Sequence, residues 1–143
     1  NSELLDFDID KHMTVFMGLL DRSSQMLTYS VGGHLPMPLL TQNDEVTYLS
    51  GLGSGLPLGL FEDAQYTDLT QRLKVDFKLL LSSDGILELL PLGAMTDKEE
   101  QLRTIFQQCG SRLNRLVSKL DIDNLESVPD DIALLSICGE TYA

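Results

Sequence analysis

From residue 13 to residue 83 the chain runs through short β-prone segments broken by turn signals, and a helical period sets in only near residue 96. That order is the strongest constraint on what the chain can fold into. Residues 13–20 and 25–31 predict a hairpin: Thr14, Val15, Phe16 and Met17 favour extended backbone, and Asp21-Arg22-Ser23-Ser24 supplies the turn. Pro36 and Pro38 forbid helix and suit a strand start or a sheet edge. Gln42-Asn43-Asp44 is a second turn, followed by period-two alternation over residues 45–49. Residues 66–73 and 77–83 read as a second antiparallel pair. Thr96-Asp97-Lys98-Glu99 then has a capping-box pattern, with Thr96 at the N-cap. Leu102, Ile105, Phe106 and Cys109 follow at helical spacing. Gly110 stops that helix and Ser111 can cap the next, whose apolar stripe is Leu113, Leu116, Val117 and Leu120. Val128-Pro129 ends the helical region and leads into a closing strand. Strands first, helices later and one final strand make an α+β chain with antiparallel pairing.

Two acidic motifs flank apolar runs. Ser83-Asp84-Gly85 follows Leu79-Leu80-Leu81, and Asp130-Asp131-Ile132 precedes Ala133-Leu134-Leu135-Ser136-Ile137. Each sets a carboxylate at the mouth of a predicted strand. Ionised oxygens suit a hard divalent cation such as Mg²⁺ or Mn²⁺, and such a cation can activate water without a covalent enzyme intermediate. Asp-Gly is equally a common turn dipeptide, and an Asp beside a strand is ordinary, so each motif alone leaves both readings open.

The series Gly32-Gly33-His34-Leu35-Pro36-Met37-Pro38, Gly55-Leu56-Pro57-Leu58-Gly59, Ser83-Asp84-Gly85 and Asp130-Asp131-Ile132 resembles the metal-dependent PPM (PP2C-like) phosphatases. It is most similar to the bacterial branch that regulates sigma factors, the RsbU/SpoIIE type. The resemblance runs over residues 13–137. It implies an antiparallel β-sandwich flanked by helices, a phosphoserine or phosphothreonine protein as substrate, and Mn²⁺ or Mg²⁺ as cofactor, with Asp84 and Asp130 as metal ligands. In that family an earlier Asp and an Asp-Gly pair on the first strands bridge two metals, and Asn1-Ser2-Glu3-Leu4-Leu5 looks like the end of the helix that follows them. The expectation is therefore that residues 1–143 are the C-terminal part of a single PP2C-like phosphatase domain, with its N-terminal portion missing and no activity of its own.

Two departures from the family pattern support a second function class. Ala133 stands where the family usually has Thr, and Val75-Asp76-Phe77 replaces a Gly-Asp turn. Members with eroded motifs keep the fold as a protein-binding surface, and the chain is similar in this to the effector domain of RssB-like response regulators, which deliver a sigma factor to a protease. Either class implies a protein partner, a sigma factor or its anti-sigma or anti-anti-sigma regulator.

The remaining signals mostly exclude. Net charge is −12, from 22 acidic and 10 basic residues, which argues against nucleic acid and anionic membrane surfaces. Solubility accounts for that acidity as well as a basic partner does. Cys109 and Cys138 have no Cys-x-x-Cys spacing for zinc and read as free thiols of a reducing cytoplasm. No apolar run approaches the ~18–20 residues of a membrane span, and no signal peptide is visible. His34 invites a role as general acid, but the matching family histidine is mostly structural; His12 has no partner at metal-ligand spacing. The glycines from Gly51 to Gly59 lack the Lys-Ser or Lys-Thr of a P-loop and fit a flap-like connection, and the methionines fit core filling. Sheet edges left open by missing strands predict a homodimer, with the stripes Leu102/Ile105/Phe106 and Leu113/Leu116/Val117 as candidate exposed faces.

Overall fold

The computed structural model describes residues 3, 5, 12–91, 93–127 and 130–139. Its elements are β1 (Val15–Asp21), β2 (Met26–Gly32), β3 (Leu39–Gln42), β4 (Glu45–Tyr48), β5 (Leu69–Arg72), β6 (Lys78–Ser82), α1 (Gly85–Glu88), α2 (Met95–Gln108), α3 (Leu113–Lys119), a 3₁₀ turn (Ile122–Asn124) and β7 (Leu134–Cys138). They form two compact units, residues 1–35 with 50–73 and residues 36–49 with 74–143.

The first unit is an antiparallel sheet in the order β1-β2-β5. The β1–β2 hairpin closes where expected, from Val15 opposite Gly32 to Asp21 opposite Met26. The Asp21 carboxylate accepts from the Ser23 backbone N–H at 2.9 Å, the Ser23 hydroxyl at 2.7 Å and the Ser24 hydroxyl at 2.7 Å. The two hydroxyls first, then the Ser23 backbone, pull its pKa down to about 2, because they stabilise the charged form. Strand alternation buries Leu27, Tyr29 and Val31 on one face of β2. Phe16 stacks on Tyr29 across the strands at 5.4 Å between ring centroids.

The glycine-rich connection before β5 packs against the end of β2. Gly55 donates to the Val31 carbonyl at 2.7 Å, and Gly33 donates to the Gly55 carbonyl at 2.8 Å. A Cβ at Gly55 would fall 2.4 Å from the Tyr66 ring, and one at Gly33, at φ +68, would fall 2.4 Å from Pro57. These glycines therefore seat a ring and a proline against bare backbone. His34 lies in this unit, tilted against Phe16 at 6.2 Å between ring centroids.

The second unit is an antiparallel sheet in the order β4-β3-β6-β7 with the helices on one face. Asn43 and Asp44 both have positive φ, 51° and 60°, the geometry of a two-residue hairpin turn, and they join β3 to β4. Leu39, Val46 and Leu80 from the sheet pack with Ile86, Leu87 and Leu90, with Leu102 and Phe106 of α2, and with Leu116 of α3. Tyr48 donates its hydroxyl to the Glu99 carbonyl at 2.7 Å, and burial first, then the Glu99 and Glu100 charges, pushes its phenol pKa up.

Several expectations need correction. Residues 66–73 and 77–83 do form strands, but β5 pairs with β2 and β6 pairs with β3 and β7. Their ends show why: Leu73 donates to the Gln25 carbonyl, and the Phe77 carbonyl accepts from Gly139, so each backbone is committed to a different sheet. Thr96 is not an N-cap. α2 starts two residues earlier than a Thr96 cap implies, at Met95 after an extended Ala94, with no side-chain cap. Ser111 does not cap α3 either; it sits at φ 52 and its buried hydroxyl accepts from the Thr41 hydroxyl at 2.7 Å. The helix stripes are not open faces, since Leu102, Phe106 and Leu116 are fully buried. The break at Val128-Pro129 lies outside the described residues.

Candidate metal centre

The two acidic motifs meet. β6 ends at Ser82, and Ser83 then bridges to the segment ahead of β7. Its hydroxyl donates to the Asp131 carbonyl at 2.8 Å and accepts from the Ala133 N–H at 2.8 Å, while its own N–H donates to the Ala133 carbonyl at 2.9 Å. Gly85 lies directly against the backbone carbonyls of Asp131 and Asp130. A Cβ there would sit 2.4 Å from the Asp131 oxygen, 3.0 Å from its carbonyl carbon and 3.2 Å from the Asp130 oxygen. Only glycine allows this approach.

Asp84 stands between these two contacts, solvent-exposed at the start of α1, and its side chain caps nothing. The turn reading of Asp84, in which the carboxylate serves its own backbone, is therefore not what this side chain does. Asp130 is also exposed, and one of its carboxylate oxygens accepts from the Asp131 N–H at 2.8 Å. The pair precedes β7 rather than lying in it, so strand alternation does not choose between Asp130 and Asp131; this local hydrogen bond fixes the Asp130 side chain instead.

The donors fit a hard cation in type, being two exposed carboxylates. They do not complete a centre by number. Among the described residues no group of three or more His, Cys, Asp or Glu gathers to hold an ion. Sequence reasoning missed Ser83, whose hydroxyl clamps the two motifs; the signal was its place in Ser83-Asp84-Gly85, one residue before the carboxylate it positions. Ala133 contributes only backbone to this clamp, which a Thr would supply equally. The altered turn at Val75-Asp76-Phe77 has its own packing: a Cβ at Gly139 would lie 2.1 Å from the Val75 oxygen and 2.7 Å from the Phe77 ring.

The profile of the family described as Stage II sporulation protein E (SpoIIE) matches residues 1–139. The chain belongs to the SpoIIE family. Relatives within reach of this SpoIIE-family chain include the phosphoserine phosphatase RsbU of Bacillus subtilis (strain 168), 24% identical over 123 residues, or 86% of this chain and 36% of RsbU. Among solved structures, the RsbU and RsbW domains of Rv1364c from Mycobacterium tuberculosis superpose with a TM-score of 0.68 at 27% identity, covering 86% of this chain and 36% of that one. The phosphatase domain of SpoIIE from Bacillus subtilis superposes with a TM-score of 0.63 at 12% identity, covering 99% of this chain and 64% of that one. The chain thus has a PP2C-like fold with two antiparallel sheets, and it spans 36% of the length of RsbU.

Proposed function

We propose that this chain is the C-terminal part of a single PPM-type domain and supplies the Asp84 and Asp130 carboxylates of a metal-dependent phosphoprotein phosphatase acting on phosphoserine or phosphothreonine. The observation that carries the reading is the seat of Gly85 against the backbone carbonyls of Asp131 and Asp130, which brings the two motifs together across more than forty residues of sequence. A bound Mn²⁺ or Mg²⁺ supplies charge stabilisation for a phosphoryl group and activation of water. The chain's own residues do the positioning: Ser83 clamps the strand mouths, and the Asp131 N–H holds one oxygen of Asp130, leaving the other free to bind.

The substrate we propose is a phosphorylated regulator in a sigma-factor network, in the bacterial cytoplasm and under control of an upstream receiver domain. RsbU, a phosphoserine phosphatase by name, and the pairing of RsbU with RsbW domains in one solved chain support this reading. No helix among the described residues is long and apolar enough to cross a membrane. The second reading is a non-catalytic adaptor that binds a sigma factor for delivery to a protease; the Val75-Asp76-Phe77 turn favours it. p-Nitrophenyl phosphate with Mn²⁺ separates the readings. The 143-residue chain is expected to show no turnover. The full-length protein is expected to turn over, and Asp84→Asn or Asp130→Asn to lower its kcat by more than roughly 100-fold, beyond what changes outside the ligand shell cause. Robust turnover by the chain alone overturns the reading of an incomplete centre, and a folded but inert full-length protein favours the adaptor.

A homodimer is the second part of the proposal. Among the described residues β7 is the last strand of its sheet, and it exposes Leu135 at 55% and Ile137 at 41%. An unpaired edge carrying apolar side chains is a template for another strand. Pairing of two β7 edges is expected to bury more than ~1,000 Å². Sedimentation equilibrium at micromolar concentration decides it: a dimer is expected, and a clean monomer of 15.9 kDa contradicts it.

A further inference from the structure

The first unit contains a cavity of about 570 Å³, inside the roughly 300–1,000 Å³ range of small-molecule sites. Its walls are mainly apolar, with Val15 and Met17 from β1, Leu58 from the glycine-rich connection, and Ala64. Ser30 and Glu62 are also in the lining. The Ser30 hydroxyl is already used, donating to the Thr67 carbonyl at 3.2 Å. The Tyr66 ring forms a further wall, and its hydroxyl is buried with no hydrogen-bond partner among the described residues. Leaving such a group unpaired is costly, and native structures rarely do so without a ligand, ion or water to satisfy it.

The ring is not free to turn its hydroxyl elsewhere. Gly55 and Gly32 lie beneath it, where added Cβ atoms would fall 2.4 Å and 3.2 Å from ring carbons. The chain thus gives up two side chains to hold this ring in a cavity wall with its polar end unsatisfied. Glu62 is exposed and brings a negative charge to the lining, which disfavours anions.

We propose that this cavity is a binding site for a small, mainly apolar molecule that carries one hydrogen-bonding group for the Tyr66 hydroxyl and no negative charge. The site is separate from the carboxylates of the second unit, so it stands or falls independently of the phosphatase reading.

The test uses the 143-residue chain with phenylnaphthylamine, an uncharged apolar fluorophore with one N–H, and the anionic anilinonaphthalene sulfonate as its counterpart. Phenylnaphthylamine is expected to bind saturably, one per chain, and more tightly than the sulfonate. Tyr66→Phe is expected to weaken it roughly three- to tenfold, the worth of one hydrogen bond, while leaving the unliganded thermal midpoint unchanged or higher, because it deletes an unsatisfied polar atom. Ala64→Phe fills the cavity and is expected to abolish binding. Met17→Glu is the variant that folds regardless, since Met17 is 70% exposed, and it is expected to weaken binding by adding charge to the lining. No saturable binding, tighter binding of the sulfonate, or affinity unchanged by Tyr66→Phe or Met17→Glu overturns the proposal; the first of these would mean that water alone fills the cavity.

Discussion

Truncating Phe106 to alanine is expected to remove about 3–5 kcal/mol of folding stability. Phe106 is fully buried at the centre of the second unit, where β3, β4 and β6 meet the three helices. It lies on α2 one turn from Leu102, which is 1% exposed, and α3 presents Leu116 from the facing side at 0%. Such a site cannot collapse without moving a helix, so the lost transfer energy and the cavity both count. Domains of this size hold only about 5–15 kcal/mol in total, so the variant is expected to approach the folding threshold. Urea unfolding followed by circular dichroism reads the effect as a lower midpoint at similar slope. A loss under ~1 kcal/mol would show that the helices are loosely held against the sheet.

Gly85→Ala is expected to damage stability and the candidate site together. Alanine normally improves a helix by about 1 kcal/mol over glycine, and Gly85 is the first residue of α1. Here the added methyl would meet the Asp131 carbonyl oxygen at 2.4 Å, and backbone cannot swing away as a flexible side chain can. The expected net loss is roughly 1–3 kcal/mol, the usual cost of overpacking. The strand mouths must part to admit the methyl, so the Ser83 bridge to Asp131 and Ala133 should lengthen and Mn²⁺ binding should weaken. Gly93→Ala is the control, because a Cβ there meets nothing closer than Asp97 at 3.6 Å. Equal stability and equal Mn²⁺ affinity in the two variants would show that the close approach at Gly85 does not hold the motifs together.

Much of the architecture was legible because its causes are local. The β1–β2 and β3–β4 hairpins follow from turn residues whose side chains or positive φ make the reversal, Asp21 in one and Asn43-Asp44 in the other. The stripes of α2 and α3 follow from helical spacing, and Leu102, Phe106 and Leu116 are buried as that spacing requires. What was misread depends on distant partners. The pairing of β5 and β6 is set by Gln25 and Gly139, far from either strand in sequence. Ser111 looks like a cap, yet its hydroxyl is claimed by Thr41, seventy positions away. Expecting open helix faces overlooked that β6 and the residues after it cover them.

The candidate site was legible as two motifs and not as a geometry. The place of Ser83 beside Asp84 marks it as part of the motif, but its reach to Asp131 and the backbone lying against Gly85 are set only by the fold. Tyr66 and the cavity it walls were invisible for the same reason: Gly32 and Gly55 read as motif and loop residues, and nothing local to them points to a ring packed against their backbone.

Direct titration of Mn²⁺ into the 143-residue chain, followed by electron paramagnetic resonance of the free ion, tests the central claim that Asp84 and Asp130 form one cation-binding pair. The account predicts weak binding, with a Kd on the order of millimolar as expected for so few protein carboxylates, and its loss on either Asp84→Asn or Asp130→Asn. Mn²⁺ binding that survives both substitutions unchanged would contradict it.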